Sequence, residues 1–336
     1  MSTEVQAGEV MAGSPQVHDE SELARASQVG SDLINNVARV VRGKPDQIEL
    51  AATVLLGGGH LLIEDVPGVG KTILARALAI SIGGKFSRIQ GTPDLMPADV
   101  TGTNVYRRES EEFVFHPGPV FANVVLVDEI NRATPRTQSA LLEAMEEGQV
   151  TADGLGYGLP EPFCLLATEN PVEYHGTYPL PEGQLDRFMA AISIGYPDRE
   201  AEKEVLTSQA HGHPIEELES VCSLEDLVSA RVAVRAVYTA PAIVDYVVSI
   251  CDATRRHPSI SIGASPRGSL ALLHAAQARA IIKGRDYVVP DDVKVMAVSV
   301  LGHRIVLSQG AQSIGAGRNL IHQILTSVPV PTDSGR

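Results

Sequence analysis

Five short apolar runs alternate with segments whose apolar residues recur at helical spacing in the first two thirds of the chain. The runs are HLLIED, FSRIQ, NVVLVD, CLLATEN and AAISIG, at residues 60–65, 86–90, 123–128, 164–170 and 190–195. Short runs of near-continuous apolar character are typical of strands that are buried on both faces of a parallel sheet. Helical patterns such as KTILARALAISIG lie between them. The pattern therefore predicts an α/β fold with a doubly wound parallel sheet.

The first part of the chain has a different composition. Residues 1–26 are small and polar, and we predict that they form an unstructured tail. From Leu33 to Val41 the apolar residues follow helical spacing, and Gly43 interrupts this pattern. We therefore predict that the first helix starts near Leu33 and stops before this glycine.

Strand-like runs mostly disappear after about residue 210, and helical patterns dominate. Four segments carry such patterns: EDLVSARVAVRAVY, PAIVDYVVSICDATRR, PRGSLALLHAAQARAIIKG and DDVKVMAVSVLGHRI. A polar stretch over 210–220 separates them from the α/β part. The sequence therefore predicts an α/β domain over 27–209 and a small all-helical domain over 210–336.

Charge and cysteine content restrict the expected partners and compartment. With 27 basic and 41 acidic residues the formal charge is −14, which repels nucleic acid and anionic lipid and disfavours a nucleic-acid motor. The three cysteines lie far apart and suggest neither a zinc site nor a disulfide framework. Neither a signal peptide nor a membrane-spanning run is apparent, so we expect a cytoplasmic protein.

The sequence DVPGVGKT, at 65–72, lies between a predicted strand and a predicted helix, which is the setting of a phosphate-binding loop. In such a loop Lys71 reaches the β- and γ-phosphates of ATP, and the Thr72 hydroxyl ligates Mg²⁺. The motif departs from its full form at Asp65, where glycine is usual. The candidate nucleotide-binding residues of this segment are Pro67, Gly68, Val69, Gly70, Lys71, Thr72 and Ile73.

Polar residues end two of the other apolar runs. Asp128 ends the run NVVLVD and is placed to hold the water shell of Mg²⁺, while Glu129 is placed to act as a general base. Asn170 ends CLLATEN and can hydrogen-bond the attacking water and the γ-phosphate. Alone, the acidic pair also fits a carboxylate that caps a helix, and an asparagine before Pro171 also fits a plain turn.

Longer stretches of the chain resemble the MoxR branch of the AAA+ ATPases. They are EDVPGVGKT, IQGTPDLMPADVTG, FHPGPVFANVVLVDEINRATPRTQSALLEAMEEGQVT, FCLLATENP, YPLPEGQLDRF and SPRGSLAL, within residues 33–310. The resemblance implies five parallel strands, a small helical lid and ring oligomers, commonly hexamers, with ATP at subunit interfaces. In similar proteins the segments 91–102 and 149–163 form inserts that face the pore or a client protein. The alternative is that they are plain loops at strand and hairpin ends, which would need no function.

The resemblance also assigns roles by position. Lys71 and Thr72 match the Walker A motif, Asp128 and Glu129 match Walker B, and Asn170 matches sensor 1. These are the residues that the local patterns already favour for binding ATP and Mg²⁺.

Two arginines receive their expected roles from the resemblance. Arg187, in QLDRF, matches the arginine finger, and Arg267, in SPRG, matches sensor 2 in the lid. An arginine donated across a subunit interface neutralises charge on the transferred phosphoryl group. The alternatives are an ion pair within the subunit for Arg187 and a solvated side chain in a first helical turn for Arg267.

An ATP-driven remodelling factor is the leading functional hypothesis. Proteins that resemble this chain often work with a partner containing a von Willebrand factor A domain, and mature or insert metal into a target complex. The alternatives are the motor subunit of a metal chelatase, a nucleic-acid motor and a small-molecule kinase. The acidic charge argues against the nucleic-acid motor, and the set of Asn170, Arg187 and Arg267 argues against the kinase.

Overall fold

The structure is a computed structural model and describes residues 20–170, 176–209, 213–308 and 314–331. Its strands are β1 (Leu61–Glu64), β2 (Phe86–Gln90), β3 (Gly102–Arg107), β4 (Glu112–Pro117), β5 (Val124–Asp128), β6 (Gln149–Ala152), β7 (Leu155–Gly158), β8 (Cys164–Glu169), β9 (Ala190–Ile192), β10 (Ile260–Ile262) and β11 (Val306–Leu307). Its helices are α1 (Glu20–Ala38), α2 (Pro45–Leu56), α3 (Lys71–Ser81), α4 (Pro97–Thr101), α5 (Pro135–Glu147), α6 (Glu182–Leu185), α7 (Arg199–Gln209), α8 (Leu224–Ala236), α9 (Pro241–Arg256), α10 (Pro266–Ile282), α11 (Pro290–Leu301) and α12 (Ile314–Ser327).

The central sheet has five strands in the order β2-β5-β8-β1-β9, and all of them are parallel. The predicted α/β core is therefore confirmed. In a parallel sheet all carboxyl ends meet at one edge, which we call the carboxyl edge, and all amino ends meet at the opposite amino edge. The order places β5 directly beside β8, with Val124 opposite Cys164 and Val127 opposite Ala167.

Alternate residues of the strands contribute to two hydrophobic clusters, one on each face of the sheet. In β1, Leu61 and Ile63 belong to the larger cluster, while Leu62 belongs to the smaller one. This alternation is the two-residue period of a strand. Because both faces are covered, the inner strands β5, β8 and β1 read as near-continuous apolar runs in the sequence.

Helix α5 connects the two edges of the sheet. It begins after Thr134, whose side chain accepts a hydrogen bond from the Thr137 amide, and ends at Gly148, which adopts a left-handed conformation with φ 61°. Its last turn reaches the amino edge, because the Met145 carbonyl is hydrogen-bonded to the ring of His60, just before β1. The helix therefore carries its final residues away from the edge where it began.

The first helix starts earlier than the sequence suggested. Helix α1 spans Glu20–Ala38, so the unstructured tail predicted for 1–26 is wrong from residue 20 onward, and residues 1–19 lie outside the described residues. Ala26, Leu33 and Val37 are buried along one side of α1. Small polar residues between them concealed this helical spacing in the sequence.

Two antiparallel hairpins extend from the smaller-cluster face. Strands β3 and β4 pair from Gly102 to Pro117, and β6 pairs with β7. Phe115 of the first hairpin stacks on Tyr157 of the second, with ring centroids 3.8 Å apart. The hairpins therefore pack on each other as one unit beside α5.

The C-terminal part is helical, as predicted, apart from a two-stranded antiparallel pair of β10 and β11. The prediction of an entirely helical segment is wrong at this pair, because three and two residues are too few to give a recognisable strand pattern. Helices α8 and α10 pack against α1 and α2 within the larger cluster. Among the described residues, no helix has the length and apolar character that crossing a membrane would require.

Candidate nucleotide site

The loop between β1 and α3 has the backbone conformation of a phosphate-binding loop. Gly68 and Gly70 have φ angles of 86° and 96°, which residues with a side chain rarely adopt. Gly70 is the N-cap of α3, so the amides of the first helical turn are free to bind an anion. The need for glycine here is conformational, because a Cβ at either position would contact nothing within 4 Å.

Asp65, the departure from the usual motif, anchors the loop instead of binding phosphate. Its buried carboxylate accepts hydrogen bonds from the amides of Ile194 and Gly195, at 2.6 and 2.7 Å. Both amides lie just after β9, so the carboxylate connects the start of the loop to the neighbouring strand. The aspartate therefore fixes the position of the loop relative to the sheet.

A cleft of about 330 Å³ lies above the carboxyl edge. It contains most of the candidate residues from three separate parts of the sequence. Its lining comprises Pro67, Gly68, Gly70, Lys71, Thr72, Ile73, Arg88, Gln90, Asp128, Glu129, Thr168 and Asn170. Val69 does not line the cleft, because its side chain packs against the larger hydrophobic cluster. Any contribution of this residue to nucleotide binding must come from its backbone.

The acidic pair sits where β5 ends. The hydroxyl of Thr168, in the adjacent β8, donates to a carboxylate oxygen of Asp128 at 3.2 Å and accepts from the Glu129 amide at 2.9 Å. Glu129 has a φ of 55°, an uncommon conformation for a residue with a side chain. Such strain persists where surrounding contacts enforce it, and it is common at active sites.

Two polar residues of β2 also contact the acidic pair, and the sequence reasoning missed both. The Arg88 guanidinium donates to Asp128 at 2.7 Å, and the Gln90 amide donates to Glu129 at 3.1 Å. Arg88 and Gln90 are two positions apart in the strand FSRIQ and therefore share one face beside β5. The alternation of polar residues in FSRIQ is the sequence feature that could have indicated their place at the site.

The residues at the cleft fit a magnesium ion bound together with a triphosphate. The Thr72 hydroxyl and the Asp128 carboxylate are both oxygen ligands, and Mg²⁺ in such sites takes its remaining ligands from phosphates and water. Among the described residues, no group of three or more His, Cys, Asp or Glu side chains forms a separate metal site.

The side chain of Lys71 is hydrogen-bonded to the backbone of its own loop. Its amine donates to the Asp65 carbonyl at 2.9 Å, within the same loop. Burial lowers the pKa of Lys71, while the nearby carboxylates of Asp128, Asp65 and Glu129 oppose this shift. The Lys71 ammonium group therefore lies near three carboxylates. A bound triphosphate would provide a further negatively charged partner for it.

Arg187 and Arg267 do not lie at this cleft. They line a separate cavity of about 300 Å³ at the amino edge, and both contact the carboxylate of Glu146 in α5. Arg187 precedes β9 and Lys71 follows β1, its parallel neighbour, so the two residues flank opposite ends of the sheet. Neither arginine is therefore placed to reach the cleft of its own chain.

An ion pair between the buried Arg304 and the partly buried Asp186 holds the backbone next to Arg187. Arg304, which follows α11, donates to the Asp186 carboxylate at 2.9 Å and to the Phe188 carbonyl at 2.6 Å. The other Asp186 oxygen accepts from Ser265 at 2.8 Å, and Ser265 is the N-cap of α10. This network joins the segment that carries Arg187 to the helix that carries Arg267.

Comparison with known proteins gives the family of the chain. Residues 60–190 match the ATPase family associated with various cellular activities (AAA), and 252–324 match the AAA lid domain. Chaperone MoxR1 of Mycobacterium tuberculosis is 41% identical over 89% of this chain and 81% of its own length. Protein MoxR of Methylorubrum extorquens is 33% identical over 88% of this chain and 93% of its own.

The chain belongs to the MoxR family of AAA+ ATPases. A solved crystal structure of a protein from Cytophaga hutchinsonii has the same fold, with a TM-score of 0.84 and 37% identity. The superposition covers 93% of this chain and 98% of the other. The AAA+ core and its helical lid are therefore those of a nucleotide-binding ATPase family that includes chaperones, as the sequence resemblance indicated.

Two opposed glutamates in this MoxR-family core are expected to make its stability depend on pH. Glu169 lies opposite Glu64 in the β1–β8 register. Burial and the neighbouring carboxylate raise the pKa of Glu169 from 4.5 to about 7. Because the folded-state pKa is the higher one, the stability that this group contributes is complete below the unfolded value and is lost as pH rises through about 7.

When the pH is raised, the Glu169→Gln variant is therefore expected to lose less stability than the natural protein. Glutamine cannot ionise, so the variant avoids a cost on the order of 2 kcal/mol that the natural protein incurs between about pH 5 and pH 8. Urea unfolding of both proteins at these two pH values measures the difference. Identical pH dependence in the two proteins would contradict the assignment.

Proposed function

We propose that the protein hydrolyses ATP to ADP and phosphate, with Mg²⁺, at the cleft above the carboxyl edge. The observation that carries this proposal is the convergence of Lys71, Thr72, Asp128, Glu129 and Asn170 on one cleft from three separate parts of the sequence. The match to the AAA family over residues 60–190 supports ATP as the ligand. The residues that line the cleft support hydrolysis as the reaction.

Each residue has a distinct task in this proposal. The amides of the glycine-containing loop and the amine of Lys71 bind the phosphates. Glu129 accepts a proton from the attacking water, and Asn170 orients that water against the γ-phosphate. Mg²⁺ would supply positive charge that stabilises the phosphates, and Thr72 and Asp128 would hold it.

The positions of the two arginines support assembly. Arg187 and Arg267 lie at the amino edge, away from the cleft of their own chain. In a ring with head-to-tail contacts, the amino edge of one subunit can face the carboxyl edge of the next. We therefore propose a homo-oligomeric ring, a hexamer as is common for similar proteins, in which Arg187 acts as arginine finger and Arg267 as sensor 2 toward the neighbouring ATP.

The work of the cycle is proposed to be remodelling of a protein complex. The printed name of the Mycobacterium tuberculosis relative is Chaperone MoxR1, and the name concerns that protein. By analogy, we propose that this chain deforms or matures a client complex in the cytoplasm together with a partner that contains a von Willebrand factor A domain. Neither a chelatase motor nor a nucleic-acid motor gains support from the comparisons, which give MoxR relatives over most of the chain.

Capture of bound proteins tests this role. A Glu129→Gln variant that retains ATP should hold its client and partner for longer than the natural protein, because release would follow hydrolysis. Mass spectrometry of proteins that co-purify in ATP, compared with those in ADP, identifies them. Recovery of the same proteins with both nucleotides would contradict an ATP-driven remodelling cycle.

Lys71→Ala is expected to weaken ATP binding by about a hundredfold, because it removes a charge-assisted hydrogen bond to the phosphates. Titration with a fluorescent ATP analogue measures the affinity. Lys203→Ala, on the exposed face of α7, is the matched control and should bind ATP normally. Unchanged ATP affinity in Lys71→Ala would remove the assignment of the phosphate-binding loop.

A further inference from the structure

Glu146 lies between the two arginines at the amino edge. One of its carboxylate oxygens is 3.0 Å from an Arg187 nitrogen, and the other contacts an Arg267 nitrogen. Arg187 belongs to the core and Arg267 to the lid helix α10, so a single side chain of α5 joins arginines from two parts of the chain. We propose that Glu146 is a positioning residue that sets this arginine pair for the phosphate of a neighbouring subunit's ATP. The inference rests on the proposed function.

Glu146 and Arg267 both lie at helix ends where their charges are unfavourable for stability. Glu146 is in the last turn of α5, where the helix dipole disfavours negative charge. Arg267 is in the first turn of α10, where the dipole disfavours positive charge. Each placement therefore lowers the stability of its helix end. The ion pair between the two side chains offsets these costs. A pair with the two charges exchanged would be more stable, so the observed arrangement indicates that an arginine is required at the start of α10.

Enough donors remain to bind a phosphate. A guanidinium has five N–H groups, and Glu146 engages one nitrogen of each arginine. The Nε of Arg187 is buried and has no hydrogen-bond partner among the described residues. Fixed by the carboxylate, both arginines therefore keep donors that an incoming phosphate can engage after small side-chain movements.

The charge balance of the cavity also favours an anion. Arg304 is neutralised by Asp186, with which it forms an ion pair. The remaining charged groups of the lining are Arg187 and Arg267 against the single carboxylate of Glu146, which leaves one net positive charge. Glu146 therefore reduces the repulsion between the guanidiniums without cancelling their attraction for phosphate.

The surrounding network keeps the pair in one place. Asp186 accepts hydrogen bonds from Arg304 and from Ser265, and these contacts fix the backbone on the core side and the start of α10 together. Glu146 adds direct contacts to the side chains of both arginines. Without it the arginines would stay near the interface but would lose their common orientation.

Glu146→Gln tests the proposal, because glutamine keeps the shape and removes the charge. We expect kcat for ATP to fall about tenfold, in the range measured for coupled side chains, while KM and the protein concentration for half-maximal turnover stay unchanged. Glu147→Gln is the matched control: it is the adjacent residue of the same helix, is exposed and does not line the cavity. That variant should behave like the natural protein, and the thermal midpoints of all three should agree.

Non-additivity separates positioning from a merely structural effect. In an Arg267→Ala background the Glu146→Gln change should lower kcat much less than in the natural protein, because the pair has already been broken. A full tenfold effect in both backgrounds, or a normal kcat in Glu146→Gln, would overturn the proposal. If Arg187→Ala also keeps normal turnover, the interface role of the arginines fails; if only Glu146→Gln is normal, the positioning role alone fails.

Discussion

Glu129→Gln is expected to bind ATP with near-normal affinity and to hydrolyse it at least about a hundredfold more slowly than the natural protein. A positioned general base contributes roughly 10²–10⁴ in rate, and glutamine cannot accept the proton of the attacking water. The substitution should leave the site intact, because the glutamine carbonyl can still accept the hydrogen bond that Gln90 donates to Glu129. Binding and turnover are therefore separated by this single change.

Phosphate release under saturating ATP measures the turnover, and a fluorescent ATP analogue measures the affinity. Glu202→Gln, on the exposed side of α7, is the control for loss of one negative charge and should show no change in either quantity. Normal turnover in Glu129→Gln would rule out this residue as the base. Loss of ATP binding in the variant would indicate that its main role is in binding instead.

Arg187→Ala is expected to keep ATP binding and to lose about a thousandfold in turnover, since an arginine donated to the γ-phosphate contributes 10³–10⁵ in rate in related reactions. The residue lies at the amino edge, away from the cleft of its own chain, so the affinity of an isolated subunit for ATP should not change. Arg256→Ala, which removes an exposed arginine that pairs with Asp252 in α9, is the control for general loss of charge.

The dependence of turnover on protein concentration is the second part of this prediction. In the natural protein, specific activity should rise with concentration as subunits assemble, because each complete site needs two subunits. A specific activity that stays constant down to concentrations at which the protein is monomeric would contradict the interface role. So would an Arg187→Ala variant whose turnover equals that of the natural protein.

The central sheet was predictable because its signals are local. An inner strand buried on both faces must be largely apolar, and the runs that became β1, β5 and β8 have this character. The phosphate-binding loop was predictable for the same reason, since the left-handed φ angles of Gly68 and Gly70 require glycine at fixed spacing. Neighbouring strands then brought Asp128 and Asn170 to one cleft, as their positions at strand ends suggested.

The features that escaped prediction depend on distant contacts. Glu146 is one of three acidic residues near the end of α5, and only the folded chain shows it between Arg187 and Arg267. Arg88 became a site residue because β2 lies beside β5, a pairing that no local pattern specifies. The sequence also did not show that the side chain of Val69 packs against the larger hydrophobic cluster, because a motif fixes the backbone of a loop without fixing which way each side chain points.

Mixing two inactive variants tests most directly whether one subunit completes the site of another. Arg187→Ala has an intact cleft and lacks the arginine, whereas Glu129→Gln has the arginine and lacks the base. In equal mixtures that exchange subunits at random, about one quarter of the interfaces combine the intact halves, so turnover should rise to a sizeable fraction of that of the natural protein. A mixture no more active than the average of the two variants alone would contradict the account.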